Sequence, residues 1–333
     1  MGLSFLSLEI ERQERKIKRN YIYLTGGLGN QLFQLTALVA LSGKRELVVD
    51  SVNGSPRANY SGVPDSYEFD LLTTSLSHHS SAFPRLIKRA IGYCLRSKIQ
   101  PAKFETVLQL PSIAQLITSV MISLSLKELV WVKVCHGVGF DNKIRESHVN
   151  TFFIGYFQSY KWLEMAESKN DLAFKLSNPS ELVKSFSALA LIENPLVVHV
   201  RLGDYLVEGG FGTLDPSYYL KAITKAMELG DFGKIWMFSD EPLEAIKRLP
   251  DHLGLEVRVM PPFEESPATA LEVMRMGRGY VIANSTFSWW SASLSYQPDP
   301  VVIYPYPWFK SIDSPLDLVP PNWLPISTLS MGT

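Results

Sequence analysis

Short apolar runs recur along this chain, and each breaks abruptly into polar residues. Tyr21-Ile22-Tyr23-Leu24 runs into Thr25-Gly26-Gly27-Leu28-Gly29-Asn30-Gln31, and then into Leu32, Phe33, Leu35, Leu38 and Val39 at helical spacing. A strand, a glycine turn and a helix in that order present backbone N–H groups to an anion. The spacing G-G-x-G falls short of the full dinucleotide fingerprint, so the turn alone is weak evidence. Residues 47–50, 132–138 and 151–157 predict further strands. The polar segment 162–190 predicts helix and holds the domain boundary. Beyond Pro195 the alternation becomes regular. Strands are predicted over 196–200, 235–238, 255–259, 279–283 and 301–304, with helices over 216–229, 242–249, 267–276 and 288–294. Strands alternating with short helices imply parallel, doubly wound α/β sheets. The 333 residues suffice for two such domains. The expected division is a charged lead-in over 1–20, one domain over 21–175 and a second over 190–325.

Two segments place chemistry at strand ends. Val197-Val198-His199-Val200-Arg201-Leu202-Gly203-Asp204-Tyr205 and Ile282-Ala283-Asn284-Ser285-Thr286-Phe287-Ser288-Trp289-Trp290 each begin as buried strand and end polar. Ligands in open α/β sheets bind outside the carboxyl ends of strands. His199 and Arg201 stand two apart and emerge on one face, and Asp204 follows the Gly203 turn. Arg is the side chain best matched to phosphate, so Arg201 is read as gripping one, with His199 and Asp204 fixing it or a nucleoside. The alternative is a buried ion pair at a strand end. Asp240, after Phe238-Ser239, is read either as an acceptor for purine N–H groups or as the cap of the helix at Pro242. Asn284, Ser285 and Thr286 precede a helix expected near Ser288, and they offer hydroxyls and N–H groups to a phosphate or ribose. Trp289 and Trp290 are read as core anchors.

Composition removes several function classes. Apolar content of 46% supports an ordinary core, and a net charge of −1 gives no global pull toward nucleic acid. No two Asp residues stand two apart, so a D-x-D clamp for a metal-bound nucleotide is absent. His78, His79, His136, His148, His199 and His252 show no metal-ligand spacing. No metal is expected. Diphosphate charge would fall to Arg201, backbone amides and helix N-termini. Cys94 and Cys135 form no redox motif; a reduced compartment is the simpler reading, with a disulfide between them the alternative.

Residues 84–103 carry Arg85, Lys88, Arg89, Arg96, Lys98 and Lys103 with no acidic residue, and apolar positions fall between them at helical spacing. A basic amphipathic helix can lie on an anionic membrane, although packing on the core is the commoner outcome. The uncharged stretch 106–126 is rich in Ser, Thr and Gln, which predicts a buried or interfacial helix in preference to a membrane span. The N-terminus lacks a basic n-region and a small-residue cleavage site, so a cytoplasmic protein is expected; peripheral contact at the inner membrane face is the alternative that the basic helix leaves open.

At these residues the chain resembles the bacterial α-1,2-fucosyltransferases of glycosyltransferase family 11. Gly26-Gly27-Leu28-Gly29-Asn30-Gln31-Leu32-Phe33-Gln34 is similar to the family's N-terminal glycine loop. His199-Val200-Arg201-Leu202-Gly203-Asp204-Tyr205 is similar to its H-x-R-R-x-D peptide, Phe238-Ser239-Asp240-Glu241 to its F-S-D-D block, and Asn284 to Trp290 to its N-S-[ST]-F-S-W-W block. Gly155-Tyr156-Phe157-Gln158-Ser159, Trp308 and Trp323 are smaller likenesses. The resemblance covers residues 21 to about 325. It implies a GT-B-like fold of two Rossmann-like domains, with the acceptor on the 21–175 side and GDP-fucose on the 190–325 side. It implies metal-independent, inverting transfer of L-fucose to the 2-hydroxyl of a galactoside, as in surface polysaccharide or O-antigen synthesis on a lipid-linked acceptor. Arg201, His199 and Asp204 would be the catalytic and donor-site residues. Gly27, Gly29, Asn30, Ser239, Asp240, Asn284, Ser285, Thr286, Phe287 and Ser288 would line the donor. The general base is drawn from Asp204, Glu208 and His199. Leu202 replaces the motif's second Arg, removing a positive charge near the donor. That departure keeps two alternatives open: transfer of another sugar or linkage, and a carbohydrate-binding homologue without turnover. Glu241 for the second Asp keeps the charge.

Overall fold

The computed structural model describes residues 18–43, 45–54, 69–72, 76–99, 113–134, 139–140, 144, 149–167, 172–203, 213–250, 253–263, 266–309, 314 and 316–328. The first half contains β1 (Arg19–Tyr23), α1 (Leu28–Ala40), β2 (Glu46–Asp50), β3 (Phe69–Leu72), β4 (Ser77–His78), α2 (Arg85–Ile99), α3 (Ile113–Leu126), β5 (Val130–Val134) and β6 (Asn150–Ile154). There follow α4 (Tyr160–Glu167), β7 (Leu172–Leu176) and α5 (Glu181–Glu193). The second half contains β8 (Pro195–Val200), α6 (Pro216–Leu229), β9 (Lys234–Ser239), α7 (Pro242–Ala245), β10 (Val257–Val259), α8 (Pro267–Met274), β11 (Gly279–Val281), α9 (Thr286–Ser293), β12 (Val301–Tyr306) and β13 (Leu324–Ser327).

Two parallel sheets result. The first runs β4-β2-β1-β6-β5 and the second β10-β9-β8-β11-β12-β13, with every pairing parallel. The second sheet has the strand order 3-2-1-4-5-6 when its strands are counted from β8. That is the doubly wound nucleotide-binding order, and its reversal falls between β8 and β11. The first sheet reverses between β1 and β6. This is the expected α/β class, with two parallel, doubly wound, Rossmann-like sheets.

Local chemistry explains the elements. All six residues of β8, Pro-Leu-Val-Val-His-Val, are buried, as a strand covered on both faces requires. Helix starts carry side-chain caps followed by proline: Asp215 accepts from Ser217 N before α6, and Ser266 accepts from Thr269 N before α8. Asn194, in the left-handed conformation at φ 44°, ends α5 and hands the chain to Pro195.

Several elements differ from expectation. The segment 162–190 is two helices around β7, which pairs antiparallel with β3. Leu172-Ala173-Phe174-Lys175-Leu176 alternates, and that period marks a strand. The helix expected over 242–249 stops after α7 and finishes as a 3₁₀ turn over Ile246–Arg248. The helix expected from Ser288 starts at Thr286, because Ser285 caps it by accepting from Phe287 N. β13 escaped the periodicity because Pro325 interrupts it; it pairs along the sheet edge, where proline is tolerated.

One apolar cluster joins the halves. It holds Leu32, Phe33 and Leu38 of α1, Trp236 and Ile282 beneath the second sheet, and Trp289 and Trp290 of α9. A second cluster fills the far face of the second sheet, and a third lies between the first sheet and α2 and α3.

Candidate functional site

The site is built from the loops at the two sheet reversals. In the second sheet, Arg201 directly follows β8. Its guanidinium Nη1 lies 3.0 Å from Asp240 Oδ2, at the end of neighbouring β9. Asp240 Oδ1 also accepts from Leu202 N at 3.0 Å. A Cβ at Gly203 would stand 2.2 Å from Asp240 Oδ2, so glycine there leaves room for the pair. Ser239 Oγ accepts from Glu241 N at 3.0 Å and fixes the turn. The expected capping role of Asp240 is not realised: Glu241 is the N-cap of α7, without a side-chain bond. Asp240 instead aims the Arg201 guanidinium, and both side chains remain partly exposed.

His199 lies behind this pair, buried, with its ring 6.1 Å from Phe287. Among the described residues its Nδ1 has no hydrogen-bond partner. Burial, and then the neighbouring Arg201 charge, push the imidazole down to about 3. It is neutral at ordinary pH and a weak proton acceptor.

After β11, Asn284 and Ser285 are buried while Thr286 and Phe287 are half-buried at the first turn of α9. Asn284 Nδ2 donates to Trp308 O, Ser285 caps the helix, and Ser288 Oγ donates to Ser285 O at 3.2 Å. Ser288 is fully buried and directed inward, so its part is structural. Thr286 and Phe287 are the residues of this block that remain partly at the surface, and Phe287 N is taken by Ser285 Oγ. Trp289 and Trp290 are fully buried anchors, donating to Leu318 O and Gly29 O.

In the first sheet, the turn after β1 adopts a left-handed φ of 81° at Gly26, and Gly27 caps α1 in extended conformation. Gln31 Nε2 donates to Gly26 O; Gln34 accepts from Thr25 N and donates to Gly155 O. Asn30 Oδ1 accepts from Gln158 Nε2 at 2.9 Å. The polar residues of α1 therefore bind the loop after β1 to the loop after β6. Gly29 has a different part from the one expected. A Cβ there would stand 2.5 Å from Thr286 C, so its missing side chain is what lets α1 meet α9. The two sheet reversals thus face each other across Gly29, Thr286 and Trp290.

Asp204 and Glu208 lie outside the described residues, as do residues 204–212 generally. Gln31, Gln34 and Gln158 were missed as site-building residues; the signal was available, since Asn30, Gln31 and Gln34 interrupt a largely apolar helix. Leu202 is 2% exposed within the second cluster, beside Val200 and Leu214. At this position the leucine side chain packs into the core. Among the described residues no three His, Cys, Asp or Glu side chains converge as a metal site.

Fold and site define an α/β protein of two parallel sheets, with an arginine and a helix N-terminus presented at the reversal of the second. No protein-family model matches the chain. It is 25% identical over 313 residues to an α-1,2-colitosyltransferase of Escherichia coli, covering 91% of this chain and 97% of that one. It is 26% identical over 310 residues to the O-antigen biosynthesis glycosyltransferase WbnK of Escherichia coli, covering 87% and 94%. Among solved structures, the fucosyltransferase NodZ from Bradyrhizobium superposes with a TM-score of 0.44 at 16% identity, over 90% of this chain and all of that one.

Proposed function

We propose that this protein is a glycosyltransferase that moves L-fucose from GDP-fucose to the 2-hydroxyl of a galactoside, in the assembly of a surface polysaccharide such as O-antigen. The observation that carries the reading is the Arg201–Asp240 pair beside the α9 N-terminus, at the reversal of a 3-2-1-4-5-6 sheet. An oriented guanidinium beside a helix N-terminus matches a diphosphate. Similarity over most of the chain to an α-1,2-colitosyltransferase and to an O-antigen biosynthesis glycosyltransferase supports the class.

In this reading the donor's nucleotide lies over β8–β9 and its diphosphate meets Arg201 and the first turn of α9. The acceptor enters from the Gly26–Asn30 and Gly155–Gln158 loops. The acceptor oxygen attacks the anomeric carbon from the face opposite the diphosphate. The anomeric C–O bond breaks, GDP leaves with the electron pair, and the sugar inverts. Arg201 stabilises charge developing on the leaving oxygen. The hydroxyl proton passes to a carboxylate. His199, neutral and held near 3, is a poor base for it, so Asp204 and Glu208 are the remaining candidates. No metal is assigned a role.

A second donor sugar is favoured by the colitosyltransferase relative. The test is GDP release with a terminal β-galactoside as acceptor, comparing GDP-fucose with GDP-colitose, with and without chelator, for wild type and Arg201→Ala. Chelator-resistant release lost in Arg201→Ala is expected. Nucleotide binding without release for either donor across a galactoside panel would refute the activity.

A further inference from the structure

Helix α3 is built inside out. Its fourteen residues carry no charge, and three of its four buried residues, Gln115, Thr118 and Ser119, are polar, with Ile122 the apolar one. Gln115 Nε2 donates to Val132 O at 2.7 Å, and Ser119 Oγ accepts from Val132 N at 3.0 Å. Ser123 Oγ donates to Val130 O and accepts from Val130 N. The reason lies in the sheet: β5 is its edge strand, and these side chains satisfy backbone groups that an edge leaves open. Most of the apolar positions are consequently turned outward, Ile122 and the partly buried Met121 and Leu126 excepted. Ile113, Ile117, Val120 and Leu124, at helical spacing, are all exposed, Ile113 by 78% and Leu124 by 75%. Leu116 widens the stripe.

Helix α2 lies beside α3 on the same side of the first sheet. Ile87, Ile91 and Cys94 pack inward, and Cys94 Sγ lies 3.5 Å from Thr118 Oγ1 of α3. Arg85, Lys88 and Arg89 of α2 are exposed, and Leu86 is exposed among them. No acidic residue occurs between 84 and 103. Glu128, which follows α3, is held by Arg19 and Tyr21. A nearly neutral protein therefore concentrates cations next to a bare apolar stripe.

We propose that the α2–α3 face docks on an anionic lipid surface, the α3 stripe entering the headgroup boundary and the α2 cations meeting lipid phosphates. The occupant follows from charge complementarity. A two-fold pairing of this face with a second copy would bring the basic helix near its own image. An anionic bilayer satisfies both features at once. Insertion is parallel to the membrane, since a helix of this length spans roughly 21 Å against the roughly 30 Å of a hydrocarbon core. The face lies on the side of the first sheet away from α1 and α9, so docking leaves the seam open.

Co-sedimentation with vesicles tests this, using phosphatidylcholine alone and phosphatidylcholine with a quarter phosphatidylglycerol. Wild type is expected to bind the mixed vesicles at least tenfold better than the neutral ones, and to release them in high salt. Ile113→Gln/Ile117→Gln/Leu124→Gln should abolish binding. Arg85→Gln/Lys88→Gln/Arg89→Gln should weaken it by about a hundredfold, from three surface charges. Both variants should keep wild-type GDP release with a soluble acceptor, which reports that they fold. Wild type that fails to sediment with the mixed vesicles overturns the proposal. So does a soluble dimer, seen in sedimentation velocity, that the Gln variant dissociates. The outcome is independent of donor identity, because vesicle binding is read without turnover.

Discussion

Gly29→Ala separates two physical effects that point in opposite directions. Gly29 is the second residue of α1, and helix propensity alone favours alanine there by up to about 1 kcal/mol. The seam opposes it. The new methyl would stand 2.5 Å from Thr286 C, 2.6 Å from Thr286 Oγ1 and 2.7 Å from Phe287 N. Ordinary carbon contacts lie near 3.5–4.0 Å, so one helix must retreat by about 1 Å. Two of the three atoms are backbone of α9, which is held by the Ser285 cap and by buried Trp289 and Trp290. Overpacking of this kind costs about 1–3 kcal/mol. Retreat also stretches the 2.8 Å bond from Trp290 Nε1 to Gly29 O, which contributes about 1 kcal/mol. The expected net loss is about 1–3 kcal/mol. Urea unfolding followed by tryptophan fluorescence measures it, and native-state emission should shift to the red as Trp290 loses its partner. An unchanged or raised midpoint would mean that the halves do not meet at Gly29, and the seam described above would be wrong.

Leu202→Arg should lower stability by several kcal/mol and leave little folded protein, because it buries a guanidinium beside Val200 and Leu214; an active, normally stable variant would refute the inward orientation. Arg201→Ala should weaken GDP binding about 10–100-fold by calorimetry, the worth of a charge-assisted contact, and Asp240→Asn should weaken it less. His199 should make stability acid-sensitive: its folded pKa of about 3 lies below the unfolded 6.5, so its contribution is present above 6.5 and is lost as pH falls toward 3. Linkage gives about 2 kcal/mol between pH 7 and 5, which His199→Gln should remove from the urea-unfolding profile. Glu193 works in a lower window. The Arg258 hydrogen bond, aided by Trp236 and Lys234, holds it near 2, so its stabilisation is lost as pH falls from 4.5 toward 2, and Glu193→Gln should flatten the curve there alone.

Strands β8 to β12 were legible because they are short apolar runs, and α6, α7 and α8 between them each start at a proline, so the signals are local. The two loops at the reversal of the second sheet were legible for the same reason: His199 sits within a buried strand, and Arg201 and Asn284 follow buried strands directly, where polar residues demand an explanation. What escaped depends on distant partners. Asp240 reads locally as a cap, and only the pairing of β8 with β9 brings Arg201 to it. Gly29 reads locally as part of an anion loop, and only α9 shows why a side chain is excluded. Leu202 reads as a missing arginine because alignment to a motif carries no information on which way a residue points.

Helix α3 shows the deeper limit of periodicity. Its apolar stripe has the correct helical period, and the ordinary inference would bury that stripe. Period identifies a helix and its two faces; what decides which face turns inward is the neighbour's unmet need. Here the neighbour is an edge strand with open backbone groups, and Gln115, Ser119 and Ser123 meet them. Leaving β5 bare would cost more than exposing an aliphatic stripe, since unpaired buried backbone groups cost about 1–3 kcal/mol each, whereas exposed aliphatic side chains are tolerated singly. A contiguous stripe is another matter, because it invites association. The same residues that close the edge of the sheet therefore create the apolar surface, and the cations of α2 beside it give that surface a direction.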